Sequence, residues 1–224
     1  MTTPGDDNTR RAILDAGLAL LTEHGHHALT VRRVAAAAGC STIGVYTWFG
    51  GKDGLVDALW IEAFSSFGAA LKRARSAPGP LGRLVGQARA YRRWALSHPS
   101  HYQLMFFNVI PDHKPGPDAA DAAAGAYASL LAAIEDARMR GELRHDDIGT
   151  VAHVCWATVH GLVTLQLTNS GPDGVTDSDA ANGRAFDIAL EALVAGLTHP
   201  GPGLPADRDR SVTRATRSPR SRSV

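Results

Sequence analysis

The chain has 224 residues, of which 44% are hydrophobic and 20% are charged, and its formal net charge is +1. These values are typical of a soluble globular protein that is long enough to bury a substantial core. The sequence has a polar N-terminus and no run of about 18 apolar residues, so we expect no membrane span, no signal peptide and a cytoplasmic location. Its two cysteines, Cys40 and Cys155, lack CxxC neighbours. We therefore expect no disulfide, no metal site and no cofactor.

The first predicted element is a helix from about Thr9 to His24, and residues 1–8 before it are expected to be disordered. Its apolar residues recur every three or four positions, which indicates one buried face. The histidines at positions 24, 26 and 27 have neither a partnering carboxylate nor a regular helical spacing. Such a cluster predicts no metal site.

Residues 28–55 carry the most specific pattern in the sequence. Val34 and its apolar neighbours at helical spacing predict a short helix, and Gly39 tolerates the positive φ of a tight turn. Ser41 can then cap a second short helix, which we expect to run from Thr42 to Phe49. The stretch therefore predicts a helix, a tight turn and a helix.

The second of these helices has two different sides. Val45 and Trp48 lie on a side that is expected to face the core, whereas Ile43, Tyr46 and Thr47 point the other way. Residues 42–49 span roughly 12 Å of helix, which matches the width of about 12 Å of the B-DNA major groove. The outward side is therefore predicted to be a recognition surface for DNA.

The charges at the start of the first short helix also indicate an anionic partner. Thr30 has the position of an N-cap, but Arg33 stands where a capping box would place Glu, and Arg32 lies beside it. Cations in a first helical turn oppose the helix dipole, and a DNA phosphate at that helix end would remove the conflict. The alternative is that both arginines are simply solvated.

Charge is unevenly distributed along the chain. No acidic residue occurs between positions 28 and 51, and Lys52 opens the next helix. By the argument used for Arg32, Arg10 and Arg11 are candidates for contact with the DNA backbone. Residues 200–224 carry six Arg against two Asp, so the rest of the chain is slightly acidic. DNA affinity is therefore expected to come from the basic window, and the Arg-rich tail could add to it. We expect this affinity to depend strongly on salt.

This window resembles the N-terminal DNA-binding domain of the TetR family of bacterial transcriptional repressors. The resemblance rests on Thr30, Arg32, Val34, Ala35, Ala38, Gly39, Ser41, Val45, Tyr46, Phe49, Lys52 and Leu55. It implies phosphate contacts from Thr30, Tyr46 and Lys52, and base contacts chiefly from Thr42 and Ile43. The full set of predicted DNA-binding residues is Thr30, Arg32, Arg33, Ser41, Thr42, Ile43, Gly44, Tyr46, Thr47 and Lys52.

Three residues depart from the family pattern. Gly44 replaces a small hydroxyl residue or Ala, which costs about 1 kcal/mol of helix propensity and leaves no side chain to contact a base. Trp48 stands where His is frequent, and Gly51 replaces the usual Ser or Asn cap of the following helix.

Six further helices are predicted after the window, and no segment alternates in polarity with a two-residue period. They cover about residues 52–75, 81–97, 100–108, 118–140, 148–168 and 180–198, with a Pro- and Gly-rich break at 76–80. We therefore predict an all-α protein of about nine helices. It comprises a three-helix DNA-binding domain over residues 9–55, a helical bundle for effector binding and dimerisation over 56–198, and a disordered Arg-rich tail over 199–224.

The second half has its own resemblance. HPSHYQLMF at 98–106 and WATVHGLVTLQL at 156–167 are similar to the WHG-type C-terminal domain of one branch of TetR proteins, with the motif at Trp156, His160 and Gly161. Trp156 and His160 share a helical face, where they could hold an effector. We favour a packing role instead, with Trp156 in the core, His160 hydrogen-bonded to another helix and Gly161 allowing close helix contact. The candidate pocket residues are Tyr91, Trp94, Tyr102, Met105, Phe106, Tyr127, Trp156 and His160.

The expected function is that of a ligand-responsive repressor. A single recognition helix reads few base pairs, so we expect a homodimer on a palindromic double-stranded operator, released by a small-molecule effector. The resemblance implies that the last two helices of each subunit form the dimer interface. One alternative is an architectural DNA-binding protein, which the Arg-rich tail would suit. The other is a helical enzyme using His160 or His101 as a base, although no nucleophile or carboxylate pair is suitably spaced.

Overall fold

The computed structural model describes residues 4–74, 79–170 and 178–198. Within these ranges the chain forms nine α-helices and a 3₁₀ turn at His26–Ala28, without a strand, which confirms the all-α prediction. The helices are α1 (Pro4–His24), α2 (Val31–Ala37), α3 (Thr42–Phe49), α4 (Lys52–Arg73), α5 (Pro80–Ser97), α6 (Pro99–Phe106), α7 (Pro117–Met139), α8 (Ile148–Thr168) and α9 (Asp179–Thr198).

The N-terminus of α1 is the main departure from the predicted helix bounds. The helix begins at Pro4, so residues 4–8, which we expected to be disordered, are helical. Proline suits a first helical position because the N–H that it lacks has no partner inside the helix there. Every other helix end that was predicted lies within two residues of its predicted position. Residues 1–3, most of the predicted break at 76–80, and the tail at 199–224 lie outside the described residues.

The N-terminal unit is held together by a core that α1, α2, α3 and the start of α4 share. Ile13 and Leu14 of α1 are fully buried against Val34 of α2, Val45 of α3 and Leu55 of α4. These are the residues that the helical spacing predicts for the inner faces. The burial of Val45 fixes the rotation of α3 about its axis, and so decides which of its side chains face outward.

The C-terminal unit packs around the second half of α4. One core cluster joins α4, α5, α6, α8 and α9 through residues such as Phe67, Trp94 and Tyr102, and also includes Ala126 of α7. A smaller cluster joins α5, α7, α8 and α9 at the far end, around Ile134. Helix α4 is continuous from the α3 turn to the centre of the bundle, and it supplies buried residues to both units.

Two helices, α4 and α8, are long and apolar enough to cross a membrane by length and composition alone. We expected no membrane span because the sequence has no unbroken apolar run, which is a stricter criterion than mean hydropathy over a helix. Core helices of globular proteins also meet the criterion of length and mean hydropathy. Helix α4 is such a core helix, with eight buried residues, whereas α8 is buried along one side only.

Candidate nucleic-acid interface and helical-domain cavity

The turn between α2 and α3 is built from local hydrogen bonds that the sequence specifies. The hydroxyl of Thr30 accepts from the backbone N–H of Arg33 at 3.3 Å, and Ser41 Oγ accepts from Gly44 N–H at 3.2 Å, so both predicted N-caps are confirmed. Gly39 has a φ of 66°, in the left-handed region where glycine is favoured. These three residues set the angle at which α3 leaves α2.

The outward side of α3 is accessible as predicted. Ile43 is 75% exposed and Tyr46 57% exposed, and Thr42 and Thr47 are also exposed, whereas Val45 is fully buried. The hydroxyl of Thr47 donates to the carbonyl of Ile43 at 2.9 Å, so its proton is already used inside the helix. Thr47 therefore offers an acceptor to a ligand more readily than a donor.

The basic residues beside this surface have no acidic partner in the described part of the chain. Arg32 and Arg33 are exposed at the start of α2, and Lys52 is half-buried at the start of α4. Arg10 reaches back over the ring of Phe49, with its guanidinium 5.6 Å from the ring centroid. The surface thus combines free cations with exposed side chains of α3, which is the arrangement that phosphate and base contacts require.

Arg11 departs from its predicted role. Its guanidinium donates to Asp15 at 2.6 Å and to Glu62 at 2.7 Å. The hydrogen bond with Asp15, followed by that with Glu62, raises the pKa of Arg11 although burial opposes the shift. Arg11 therefore connects α1 to α4 and is directed toward carboxylates within the protein instead of toward an external anion.

The structure explains why Gly51 replaces a capping residue. Gly50 and Gly51 have φ values of 70° and 133°, so two consecutive residues between α3 and α4 adopt conformations that other residues rarely reach. Serine or asparagine at position 51 would be strained there. Gly51 gives α4 no side-chain cap, but its positive φ allows the tight turn between α3 and α4.

The helical bundle contains a partly open apolar cavity of about 280 Å³. Its wall is formed by side chains of α4, α5, α7, α8 and α9, with Phe106 from α6. Four of the eight predicted pocket residues line it, namely Tyr91, Phe106, Tyr127 and Trp156. The other four do not line it: Trp94, Tyr102 and Met105 are buried in the core cluster, and His160 stacks on Tyr102.

His160 is half-buried and belongs to a hydrogen-bonded cluster beside the cavity. Its Nδ1 lies 2.9 Å from the hydroxyl of Tyr91 and 2.8 Å from that of Tyr102, which is itself 3.2 Å from the hydroxyl of Thr164. Burial lowers the pKa of His160 and raises the pKa of both tyrosines. The expected hydrogen bond of His160 to a neighbouring helix is confirmed.

Trp94, which does not line the cavity, also has a packing role. Trp94 donates from its indole N–H to Ser66 at 3.1 Å and stacks on His98. Gly161 does not have the predicted role among the described residues, since a Cβ added there would meet none of their atoms within 4 Å. The close helix contact expected at Gly161 is therefore not made within the described part of the chain.

Sequence reasoning missed most of the cavity wall, including Phe64, Phe67 and Leu71 of α4. Leu190, Leu193 and Leu197 of α9 line it, and so does Gln87 of α5. Gln87 did carry a signal, because it is a polar residue on the inward stripe of α5 between Leu84 and Tyr91. No comparable signal marked the α9 residues, since a leucine stripe is typical of any packed helix. Within the described residues no group of three or more His, Cys, Asp or Glu is placed to hold a metal ion.

Comparison with known proteins covers both halves of the chain. A family model described as bacterial regulatory proteins of the tetR family matches residues 13–59, and a model described as the C-terminal domain of tetracyclin repressor-like proteins matches residues 84–193. The HTH-type transcriptional regulator Rv1816 of Mycobacterium tuberculosis is 26% identical over 215 residues, which cover 83% of this chain and 90% of that protein. These relatives are regulators and not enzymes.

Solved structures share the architecture. A protein with unknown function from Rhodococcus sp. RHA1 has a TM-score of 0.72 and 26% identity, covering 85% of this chain and 96% of that one. A regulatory protein in the tetR family from Rhodococcus RHA1 has a TM-score of 0.66 and 19% identity, covering 86% of this chain and 98% of that one. With the two family models and the capped α2–α3 unit, these findings show that the chain belongs to the TetR family of bacterial transcriptional regulators, which bind DNA.

Proposed function

We propose that the protein is a homodimeric, cytoplasmic repressor that binds a palindromic operator and is released from it by a small molecule. The observation that carries the proposal is the position of α4. Its first turns supply Leu55 and Leu59 to the core of the DNA-binding unit, and later turns supply Phe64, Phe67 and Leu71 to the cavity wall. A ligand that displaces those wall residues acts on the helix that supports α3.

A second connection between the cavity and the DNA-binding unit runs through α6. Leu104 is buried in the core of the DNA-binding unit, while Phe106, two residues later, lines the cavity. After α6, His113 Nε2 lies 2.9 Å from Asp57 Oδ1 on α4, and the backbone N–H of Gly116 donates to both oxygens of that carboxylate. Movement of α6 therefore reaches α4 through apolar and polar contacts.

The exposed side of α8 and α9 supports the homodimer. Val154, Leu165 and Ile188 are exposed there, and α8 carries no Asp, Glu, Lys or Arg. Gly161 lies on the same side of α8 with open space over it, so a second helix can approach closely. Pairing α8 and α9 with their symmetry copies would bury these side chains and place two recognition helices on one side of the dimer.

In this proposal the DNA contacts divide by chemistry. Thr30, Tyr46 and Lys52 hold phosphates, and Arg32 and Arg33 add to the electrostatic attraction. The start of α3 contacts base edges, chiefly through Thr42 and Ile43. Since Gly44 has no side chain, discrimination between bases comes from its neighbours on the exposed turn.

The effector acts by binding one dimer geometry more tightly than the other. To change operator occupancy from about 99:1 to about 1:99, the two geometries must differ roughly 10⁴-fold in effector affinity. The geometry that the effector favours separates the recognition helices by a distance that no longer matches successive major grooves.

A footprint on duplex DNA selected by the protein from a random pool tests the proposal. The expected result is protection of one palindromic site about two helical turns long by a dimer. Uniform coating of the DNA, with no preferred site, would instead support an architectural role. Operator binding that no small molecule weakens, across a library of apolar and polar compounds, would contradict release by an effector.

A further inference from the structure

The wall of the cavity contains a buried acceptor without a partner. Gln87 is 7% exposed, and its Nε2 donates to the hydroxyl of Ser129 at 2.8 Å and to the backbone carbonyl of Ser129 at 3.3 Å. Because a backbone carbonyl only accepts, the amide nitrogen must face Ser129, and the orientation of the amide is fixed. The carbonyl oxygen Oε1 is buried and has no hydrogen-bond partner among the described residues.

An unpaired buried carbonyl is unfavourable, and proteins satisfy the great majority of such groups. Gln87 stands out because the described side chains otherwise leave no buried nitrogen or oxygen unpaired. Gln87 lines the cavity, so a donor on a molecule there could reach Oε1 after a small shift of the side chain. The missing interaction therefore indicates the chemistry of the occupant.

The rest of the wall restricts the occupant further. The described residues that line the cavity include no Asp, Glu, Lys, Arg or His. An ionised group placed among these side chains would lose its hydration without gaining a counter-charge, which is strongly unfavourable. The hydroxyl of Tyr91 is already held by His160 and Tyr102, so it does not compete for the role of Gln87.

The size of the cavity is also informative. An engineered apolar cavity of about 150 Å³ binds benzene, so the roughly 280 Å³ here has room for two fused aromatic rings or an aliphatic group of similar size. Phe64, Phe67, Phe106 and Trp156 present aromatic surface to such a molecule.

We propose that the effector is a neutral, mainly hydrocarbon molecule with one hydroxyl or N–H group, which donates a hydrogen bond to Gln87 Oε1. This assignment rests on the proposed function, because it takes the cavity as the effector site. Gln87 is then the residue that selects molecules with a donor from hydrocarbons of the same shape.

Three probes with one ring system test the assignment by isothermal titration calorimetry on the full chain. They are 1-naphthol, which has a donor, 1-methylnaphthalene, which is similar in size and lacks one, and 1-naphthoate, which is ionised at neutral pH. The variants are Gln87→Leu and, as a matched control, Gln103→Leu on α6, which does not line the cavity. Gln87→Met replaces Gln87→Leu if the latter does not fold.

The wild-type protein and Gln103→Leu are expected to share one ratio of affinities for 1-naphthol over 1-methylnaphthalene. This ratio should fall about tenfold in Gln87→Leu, since the acceptor is lost while the apolar wall remains. Binding of 1-naphthoate should be at least about a hundredfold weaker than that of 1-naphthol. An unchanged ratio in the Gln87 variant, comparable binding of 1-naphthoate, or no binding of any probe would overturn the assignment.

DNA binding provides a separate readout. If the probes follow the expected pattern but none weakens operator binding, the ligand class stands and release by an effector fails. If another molecule releases the DNA while the probes do not follow the pattern, the proposed function stands and the role of Gln87 is wrong.

Discussion

The protonation of His160 depends on its surroundings. Burial lowers its pKa below the ordinary value of 6.5, so the folded protein holds the imidazole neutral at a pH where the unfolded chain has begun to protonate it. The unfolded state therefore binds more protons in that range, and the free energy of unfolding falls as the pH is lowered through and below 6.5.

We expect His160→Gln to reduce this pH dependence. The amide can still accept from a tyrosine hydroxyl but does not titrate, so the loss of stability between about pH 7.5 and about pH 5.5 should be smaller than in the wild-type protein. Urea unfolding at several pH values measures the difference. His145→Gln is the control, since His145 is exposed, and it should keep the wild-type dependence. Equal pH dependence in all three proteins would contradict the prediction.

Lys52 allows a direct test of phosphate contact. Removing one phosphate contact weakens binding to all DNA sequences and reduces the slope of log affinity against log salt by about 1. We expect this result for Lys52→Ala, measured by fluorescence anisotropy on operator DNA between about 50 and 200 mM salt. Lys72→Ala, at the opposite end of α4, should leave the slope unchanged. The same slope in Lys52→Ala as in the wild-type protein would exclude the contact.

These residues differ in how far the sequence could predict their roles. The caps at Thr30 and Ser41 bond to backbone within three residues, so local sequence was sufficient. The partners of His160 lie 58 and 69 residues away in the chain, and helical periodicity gives a face but not the neighbour of that face. The amide of Gln87 was missed for the same reason, because its acceptor lies on α7.

The two glycines of the α3–α4 region have opposite structural roles. An added Cβ at Gly44 would meet only ordinary contacts, the nearest being Cys40 Sγ at 3.8 Å, and the backbone there does not require glycine. An added Cβ at Gly54 would collide with the backbone carbonyl oxygen of Phe49, because the first turn of α4 approaches the end of α3 closely.

Alanine is therefore expected to stabilise the protein at one position and destabilise it at the other. Gly44→Ala should raise the free energy of unfolding by about 1 kcal/mol through helix propensity. Gly54→Ala should lower it by about 2 kcal/mol or more, since backbone must move to remove the collision. Chemical denaturation of the pair provides the comparison. A shift in the same direction for both would show that the packing between α3 and α4 has been misinterpreted.

Helix bounds were more predictable than helix neighbours. Proline and glycine at the helix ends set the limits of α5, α6 and α7 locally, so their predicted positions were close. Most of the cavity wall was not anticipated, because it needs α4 and α9 to pack against α5, α7 and α8. That arrangement depends on which apolar stripes meet in the folded chain, and many of the stripes are similar in width and composition.

Helices α8 and α9 both expose large apolar side chains to solvent. Leu165 of α8 is 45% exposed and Ile188 of α9 is 66% exposed, and α8 has no Asp, Glu, Lys or Arg. Exposed apolar residues occur singly on many protein surfaces, but a side with this composition on two adjacent helices is typical of an interface. A dimer that buries this side also places its two recognition helices under a common symmetry axis, so DNA affinity and dimerisation should be lost together.

We expect Leu165→Glu and Ile188→Glu each to convert the proposed dimer to a monomer, because a buried carboxylate without a partner is strongly unfavourable at an interface. Met139→Glu is the matched control, since Met139 is 70% exposed on α7 and lies outside that side. Sedimentation equilibrium measures the mass, and anisotropy on the same samples measures operator affinity. The two interface variants should lose dimer and operator binding together, while Met139→Glu keeps both. If all three variants remain dimeric, the subunits meet through another surface, and Gly161 and Leu165 have no part in it.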